Sequence, residues 1–308
     1  MPYFRLTLAA SLFLWSPLVF ASPDELLDAA FKTQLLKLPE VKRLTTSAED
    51  IMIKEANVIL GCNSSGFYDV TLKGVSYFAK RLNEKRLAKS GDSEQLKLQK
   101  LESFLDEYEK DESPGLPKIV RYFGEVSFST GAGDYSILLF EQAKGIDLGN
   151  FMCETILKEF EDKREERLAG FRTVGESIAK FHLKHRSPDE SDFKTIIHGD
   201  LHMDNIFFDP SSGQVTFVDV ESMEIAPKST RLEEQVLCDL KDAFNYLTAR
   251  ANQLYRDWLP KSPCDNQGQI SLQPYWERYQ RCAEALIDGY NDSLERAGLS
   301  QYKFNLPW

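Results

Sequence analysis

No stretch of the chain constrains its fold more than residues 196–221, which read I-I-H-G-D-L-H-M-D-N-I-F-F-D-P-S-S-G-Q-V-T-F-V-D-V-E. The runs Ile206-Phe207-Phe208 and Val215–Val218 flank Asp209-Pro210-Ser211-Ser212-Gly213. Aromatic and β-branched residues on either side of a Pro/Gly-containing turn predict a β-hairpin. Such a hairpin returns the loop before it and the loop after it to the same strand ends. Asp200 and Asn205 lie in the first loop, and Asp219 and Glu221 follow the second strand. Carboxylate, amide and carboxylate are therefore predicted to meet. Hard oxygen donors of this kind suit Mg²⁺, which also takes phosphate oxygens and keeps several waters.

The sequence on either side changes character partway along. Residues 24–43 place Leu26, Leu27, Ala30, Phe31, Leu35 and Leu36 at helical spacing. From Val58 to Leu82, VILG, a Cys62–Gly66 turn, FYDVTL, a Lys73-Gly74 turn and VSYFAKRL predict a strand meander. Residues 93–110 form an amphipathic helix with Leu98, Leu101, Leu105 and Tyr108 on one face, stopped by Pro114-Gly115 and Pro117. KIVRYFGEVSFS and YSILLFEQA predict two more strands around Gly131–Asp134. Beyond Gly145 the pattern is helical: two helices over 151–186, the second burying Val174, Ile178 and Phe181, and more helix from Leu232. Strands before about residue 142 and helices after it predict an α+β protein of two lobes joined near Glu141–Lys144.

Composition narrows the function classes. A chain of 308 residues with 42% hydrophobic and 28% charged residues buries a core without staples, which excludes disorder, collagen and a multi-pass membrane protein. A net charge of −11 argues against a surface that neutralises a phosphate backbone, so no nucleic-acid partner is expected. The cysteines are odd in number and scattered, with no zinc-like spacing. Met1–Ala21 carries Arg5, an apolar run broken at Ser16-Pro17, and a small residue at its end. That pattern predicts a signal peptide cleaved after Ala21. The run is shorter than the ~20 residues of a bilayer span, so no stable membrane insertion is expected after cleavage. The destination is secreted, periplasmic or luminal, delivery into a host cell included.

His198-Gly199-Asp200-Leu201-His202-Met203-Asp204-Asn205, followed by Val218-Asp219-Val220-Glu221, resembles the H-G-D-x-H-x-x-N and I-D-x-[DE] loops of the protein-kinase-like superfamily. Within it the match is to the aminoglycoside phosphotransferase and choline kinase branch, and the resemblance covers roughly residues 58–250. It implies a two-lobed protein-kinase-like fold: an N-terminal helical extension over 22–57, an N-lobe of antiparallel sheet plus helix over 58–143, and a mainly helical C-lobe over 144–308. Residues 198–205 would be the catalytic loop and 219–221 the metal loop. The implied cofactors are ATP and Mg²⁺.

The same resemblance assigns roles. Asp200 orients or deprotonates the acceptor hydroxyl. Asn205 and Asp219 hold Mg²⁺, with Glu221 auxiliary. Lys80 pairs the α- and β-phosphates and is held by Glu94, which shares a helix face with Leu98, Leu101 and Leu105; Glu102 is the alternative. Gly61, Ser64, Ser65 and Gly66 stand where a loop covers the phosphates, and backbone near Glu141–Ala143 meets adenine. Asp239-Leu240 resembles the D-L pair that follows the metal loop, and His198 and His202 read as structural.

The implied reaction is phosphorylation of a small-molecule hydroxyl on an aminoglycoside-, choline- or sugar-like acceptor. An effector-type protein kinase and a kinase-like binding module are the alternatives. Trp258, Tyr275, Trp276, Tyr279 and Tyr290, with Asp257, Glu277, Glu284 and Asp288, read either as core with a solvated acidic face or as a cage for a cationic amine.

Overall fold

The computed structural model describes residues 23–56, 64–82, 94–111, 113–131, 133–184, 196–225, 239–240 and 273–305. Its larger sheet is antiparallel, in the order β1 (Ile51–Glu55), β2 (Ser64–Leu72), β3 (Val75–Leu82), β6 (Gly133–Glu141), β5 (Tyr122–Thr130). Successive side chains on a strand face opposite ways, and both faces of this sheet are buried. Ile137 and Leu139 of β6 join Tyr77 and Ala79 of β3 beneath Phe31, Leu35, Leu38 and Val41. The helices α1 (Pro23–Leu35) and α2 (Pro39–Leu44) thus cover one face. Leu138, Phe140 and Leu82 turn to the other, against Leu98 and Tyr108 of α3 (Glu94–Glu109).

Residues 22–57 are therefore more than a helical extension. Their two helices supply half of the sheet's cover, and β1 forms its edge. The strand expected at 58–61 lies outside the described residues. The Lys73-Gly74 turn is as predicted, with φ of 47° and 84°, the left-handed pair that closes a tight hairpin.

KIVRYFGEVSFS, expected as one strand, is two. β4 (Lys118–Ile119) runs parallel to β10 (Gln214–Phe217) in a smaller sheet ordered β4–β10–β9 (Ile206–Asp209)–β7 (Ile146–Asp147). Val120 N–H donates to the Phe217 carbonyl, while the Arg121 carbonyl accepts from Glu141 N–H. Neighbouring residues thus bond to different sheets, and the chain must switch between them. The predicted hairpin is β9–β10.

The helical part contains α4 (Leu148–Glu154), a π-helical turn (Thr155–Glu159), α5 (Phe160–Lys184, kinked at Lys163) and α6 (Gln273–Arg296). Asp147 caps α4 by accepting from Asn150 N–H at 2.8 Å. Val174, Ile178 and Phe181 are buried as their spacing predicts. The architecture is α+β. Among the described residues no helix is long and apolar enough to cross a membrane.

Candidate active site

Alternation along β3 decides where Lys80 points. Tyr77 and Ala79 face α1, so Lys80 shares the α3 side with Leu82. It is only 5% exposed. A buried ammonium needs opposite charge, and two carboxylates supply it. Nζ donates to Asp219 Oδ1 at 2.5 Å and to Glu221 Oε1 at 3.2 Å.

Asp219 has φ 59° and ψ 48°, the left-handed region that Asp tolerates better than most side chains. This conformation ends the strand direction and starts the short turn Val220–Ser222, on which α3 packs. Burial by itself raises the Asp219 carboxyl. The neighbouring Lys80 ammonium and its hydrogen bond outweigh that and hold the group below its ordinary range.

The second loop is set beside the first by the short pair β8 (Ile196–Ile197) and β11 (Glu224–Ile225). Gly199, at φ 78°, passes so close to the Ser222 carbonyl that a side chain cannot fit between them. His198 is fully buried, and burial pushes its imidazolium down, leaving a neutral ring whose Nε2–H donates to the Val218 carbonyl at 2.9 Å. Asn205 completes the join. Its Nδ2 donates to the Asp200 main-chain carbonyl at 2.9 Å, and its own main-chain carbonyl accepts from Val218 N–H at 3.0 Å. Asp200, Asn205, Asp219, Glu221 and Lys80 are thereby carried on two loops and one strand that are fastened together.

Beneath the first loop lies a carboxylate whose role the sequence did not reveal. Asp239, fully buried, accepts from His198 N–H at 2.7 Å and His182 Nε2 at 3.1 Å on one oxygen, and from Gly199 N–H at 2.9 Å on the other. Burial alone would raise it, but the hydrogen bond from His182, joined by that from the His198 N–H, keeps it below its ordinary range. In the sequence Asp239 stands out only as part of a D-L pair. A signal existed for His182: it lies four residues past Ile178 and eight past Val174, on the apolar stripe of α5, where a polar side chain needs a partner.

Other expected residues fall differently. Ser64–Gly66 open β2 instead of forming a loop, with a register shift between Ser64 and Gly66. Ser65 Oγ donates to the Leu82 carbonyl at 3.0 Å, which commits its proton to the sheet. Gly61 lies outside the described residues, as does the Glu94 side chain; the Glu94 backbone opens α3. Glu102 is exposed. Glu141 ends β6, accepts a hydrogen bond from Lys118 and gives its N–H to Arg121. Ala143, beyond the strand, packs on the core. Tyr279 and Tyr290 are core residues, which favours the plain reading of the C-terminal aromatics. A cavity of about 580 Å³ between α3 and the β4–β5 segment is lined by only one of the expected site residues, the alternative Glu102.

The donor chemistry fits Mg²⁺. Asn205 has committed its amide nitrogen, so its amide oxygen is the group it can offer beside the Asp219 carboxylate. Among the described residues no three His, Cys, Asp or Glu side chains gather as a metal-binding group. Few protein oxygens, completed by phosphate and water, is the usual manner of binding Mg²⁺.

No protein-family model matches the chain, and no curated protein matches it. Among solved structures it is similar to WaaP in complex with acyl carrier protein, with a TM-score of 0.36 and 14% identity over 80% of this chain and 91% of that one.

Proposed function

We propose that the chain is a two-lobed, protein-kinase-like phosphotransferase that moves a phosphoryl group from Mg-ATP to a hydroxyl of a small molecule. The observation that carries this reading is the buried Lys80 ammonium held between Asp219 and Glu221, beside a loop whose Asp200 backbone is fixed by Asn205.

Phosphoryl transfer asks a protein for positioning and charge stabilisation more than for covalent chemistry. Lys80 has three N–H donors, so it can donate to a nucleotide phosphate while keeping a carboxylate partner. Asp200 is half-buried. In this reading its carboxylate accepts the acceptor's O–H hydrogen bond, aims the oxygen and takes the proton as the bond to phosphorus forms. Asn205 and Asp219 would hold Mg²⁺, with Glu221 auxiliary, and the ion when bound supplies charge stabilisation at the phosphates. The adenine would meet backbone near Ala143. In this reading residues 23–56 belong with the sheet lobe, residues 144–308 form the helical lobe, and residues 1–21 are removed on export.

Calorimetric titration with Mg-ATP tests the core of the proposal. The wild type should bind and Asp219→Ala should not; no binding by the wild type would end the reading. Transfer from γ-labelled ATP to a panel of hydroxyl-bearing metabolites, run beside a protein extract, then separates a small-molecule acceptor from a protein one. N-terminal sequencing of the exported product should begin at Ser22.

A further inference from the structure

The helices α5 and α6 cross with their backbones in contact. A β-carbon on Gly175 would lie 1.8 Å from the Leu286 carbonyl oxygen, and one on Gly289 would lie 2.0 Å from that of Arg172. Only glycine permits this approach at either position. The crossing seats Tyr290, one residue beyond Gly289, edge-on against His182 with the ring centroids 5.8 Å apart.

Tyr290 is 1% exposed, in a place where phenylalanine would fill nearly the same space. A hydroxyl buried there needs a partner. It has one in His182 Nδ1 at 3.1 Å, while His182 Nε2 lies 3.1 Å from Asp239 Oδ2. The proton positions along this chain follow from its end. A carboxylate only accepts, so His182 carries its hydrogen on Nε2. In the Nε2–H tautomer Nδ1 is an acceptor, and Tyr290 O–H donates to it. Burial also pushes the Tyr290 phenol well above its ordinary range, which keeps that proton on the oxygen. Each group along the line from α6 to the loop thus has one role that satisfies its neighbour.

We propose that Tyr290 is a positioning residue for the 198–205 loop, acting through His182 and Asp239. By donating to Nδ1 it fixes the tautomer and ring angle that present Nε2–H to Asp239. Asp239 in turn holds the backbone N–H groups of His198 and Gly199, directly before Asp200. The seating of α6 on α5 therefore sets how firmly Asp200 is held. The kinetic part of this inference rests on the phosphotransferase reading; the structural part does not.

The test uses Tyr290→Phe in the full chain, with Ile178→Val as a core variant that lowers stability without touching the hydrogen-bonded line. Amide exchange over 196–203 should rise about fivefold in Tyr290→Phe, the equivalent of one neutral hydrogen bond, beyond that of Ile178→Val at equal global stability. His182→Gln, which can present an N–H near the Nε2 position, should exchange more slowly there than His182→Ala. If the chain turns over ATP, kcat should fall by a similar factor with the KM for ATP unchanged. Exchange equal to that of the matched core variant overturns the proposal. So does faster exchange with an unaltered kcat. A wild type that neither binds nor turns over ATP removes the phosphotransferase reading and leaves the exchange result to decide this one.

Discussion

A β-carbon placed on Gly199 would lie 2.3 Å from the carbonyl oxygen of Ser222, so at this point the two loops of the candidate site approach backbone to backbone. Because the obstructing atom is a main-chain oxygen, no substitution of the Ser222 side chain can relieve a larger residue at 199. Gly199→Ala also meets a left-handed φ of 78°, which costs an alanine roughly 1–2 kcal/mol before any clash. The expected result is a loss of at least about 2 kcal/mol in urea unfolding together with loss of Mg-ATP turnover, and Ser222→Gly should not restore either. A fully stable, fully active Gly199→Ala would show that the loops are not fastened there.

Lys80→Met removes the cation between Asp219 and Glu221 while keeping the side chain's volume. Breaking one partner of a buried charge pair costs about 3–5 kcal/mol, and the exposure of Asp219 puts the expectation at or below the lower end of that range. The pH dependence has a definite sign. In the wild type Asp219 is held below its ordinary value, so this contribution is present above the unfolded carboxyl pKa and fades as pH falls through the folded one. The gap in stability between wild type and Lys80→Met should therefore be widest near neutral pH and narrow in acid. Adding Glu221→Gln to Lys80→Met should recover part of the loss by removing one of two like charges. Chemical denaturation of the three proteins at pH 7 and at roughly pH 2–3 checks both statements.

The loops of this site were legible because their residues are close in sequence. The hairpin that brings 198–205 to 219–221 is written in Ile206–Val218, and alternation along VSYFAKRL places Lys80 on one face. Helical spacing likewise gave Val174, Ile178 and Phe181. What could not be read depends on partners far along the chain. Apolar spacing in 24–43 announces a buried helix face but not that a sheet lies under it. The break at Val120-Arg121 exists only because Phe217 and Glu141 claim neighbouring peptide groups. Ser65 reads as a phosphate donor, but its hydroxyl donates to the Leu82 carbonyl across a strand pair. His182 and Asp239 are separated by 57 residues, and no local pattern joins them.

Asp239→Asn should be among the most damaging single-atom changes in the molecule. An amide presents an NH₂ where one or other carboxylate oxygen now receives N–H donors, so at least one buried donor loses its acceptor. The expected destabilisation at pH 7 is about 3 kcal/mol, the range for charge-assisted bonds lost in a buried site. The Asp239 pKa is lowered from 3.8 in the folded protein, so its stabilisation is complete above that value and is lost as pH drops through the folded pKa. Asp239→Asn should therefore flatten the acid limb of stability against pH. A variant with an unchanged acid limb would mean that the carboxylate contributes nothing as an anion.

The two described cysteines, Cys153 and Cys282, are both thiols outside any disulfide, in different surroundings. Cys282 lies on α6 with no exposed surface, and burial pushes its thiol up to about 12. At pH 8 roughly one molecule in ten thousand would carry the thiolate, the form that reacts with alkylating agents. Cys153, near the end of α4, is half-buried. Brief treatment of the native protein with iodoacetamide, followed by peptide mapping, should label Cys153 ahead of Cys282. Cys282 should react only as α6 leaves α5, at a rate that follows global unfolding as urea is added. Because Tyr290 sits two turns further along the same helix, Gly289→Ala, which forces α6 away from Arg172, should expose Cys282 to the reagent at urea concentrations where the wild type is still protected. Equal labelling of the two cysteines in native wild type would show that α6 is not seated on α5 as the glycine contacts require.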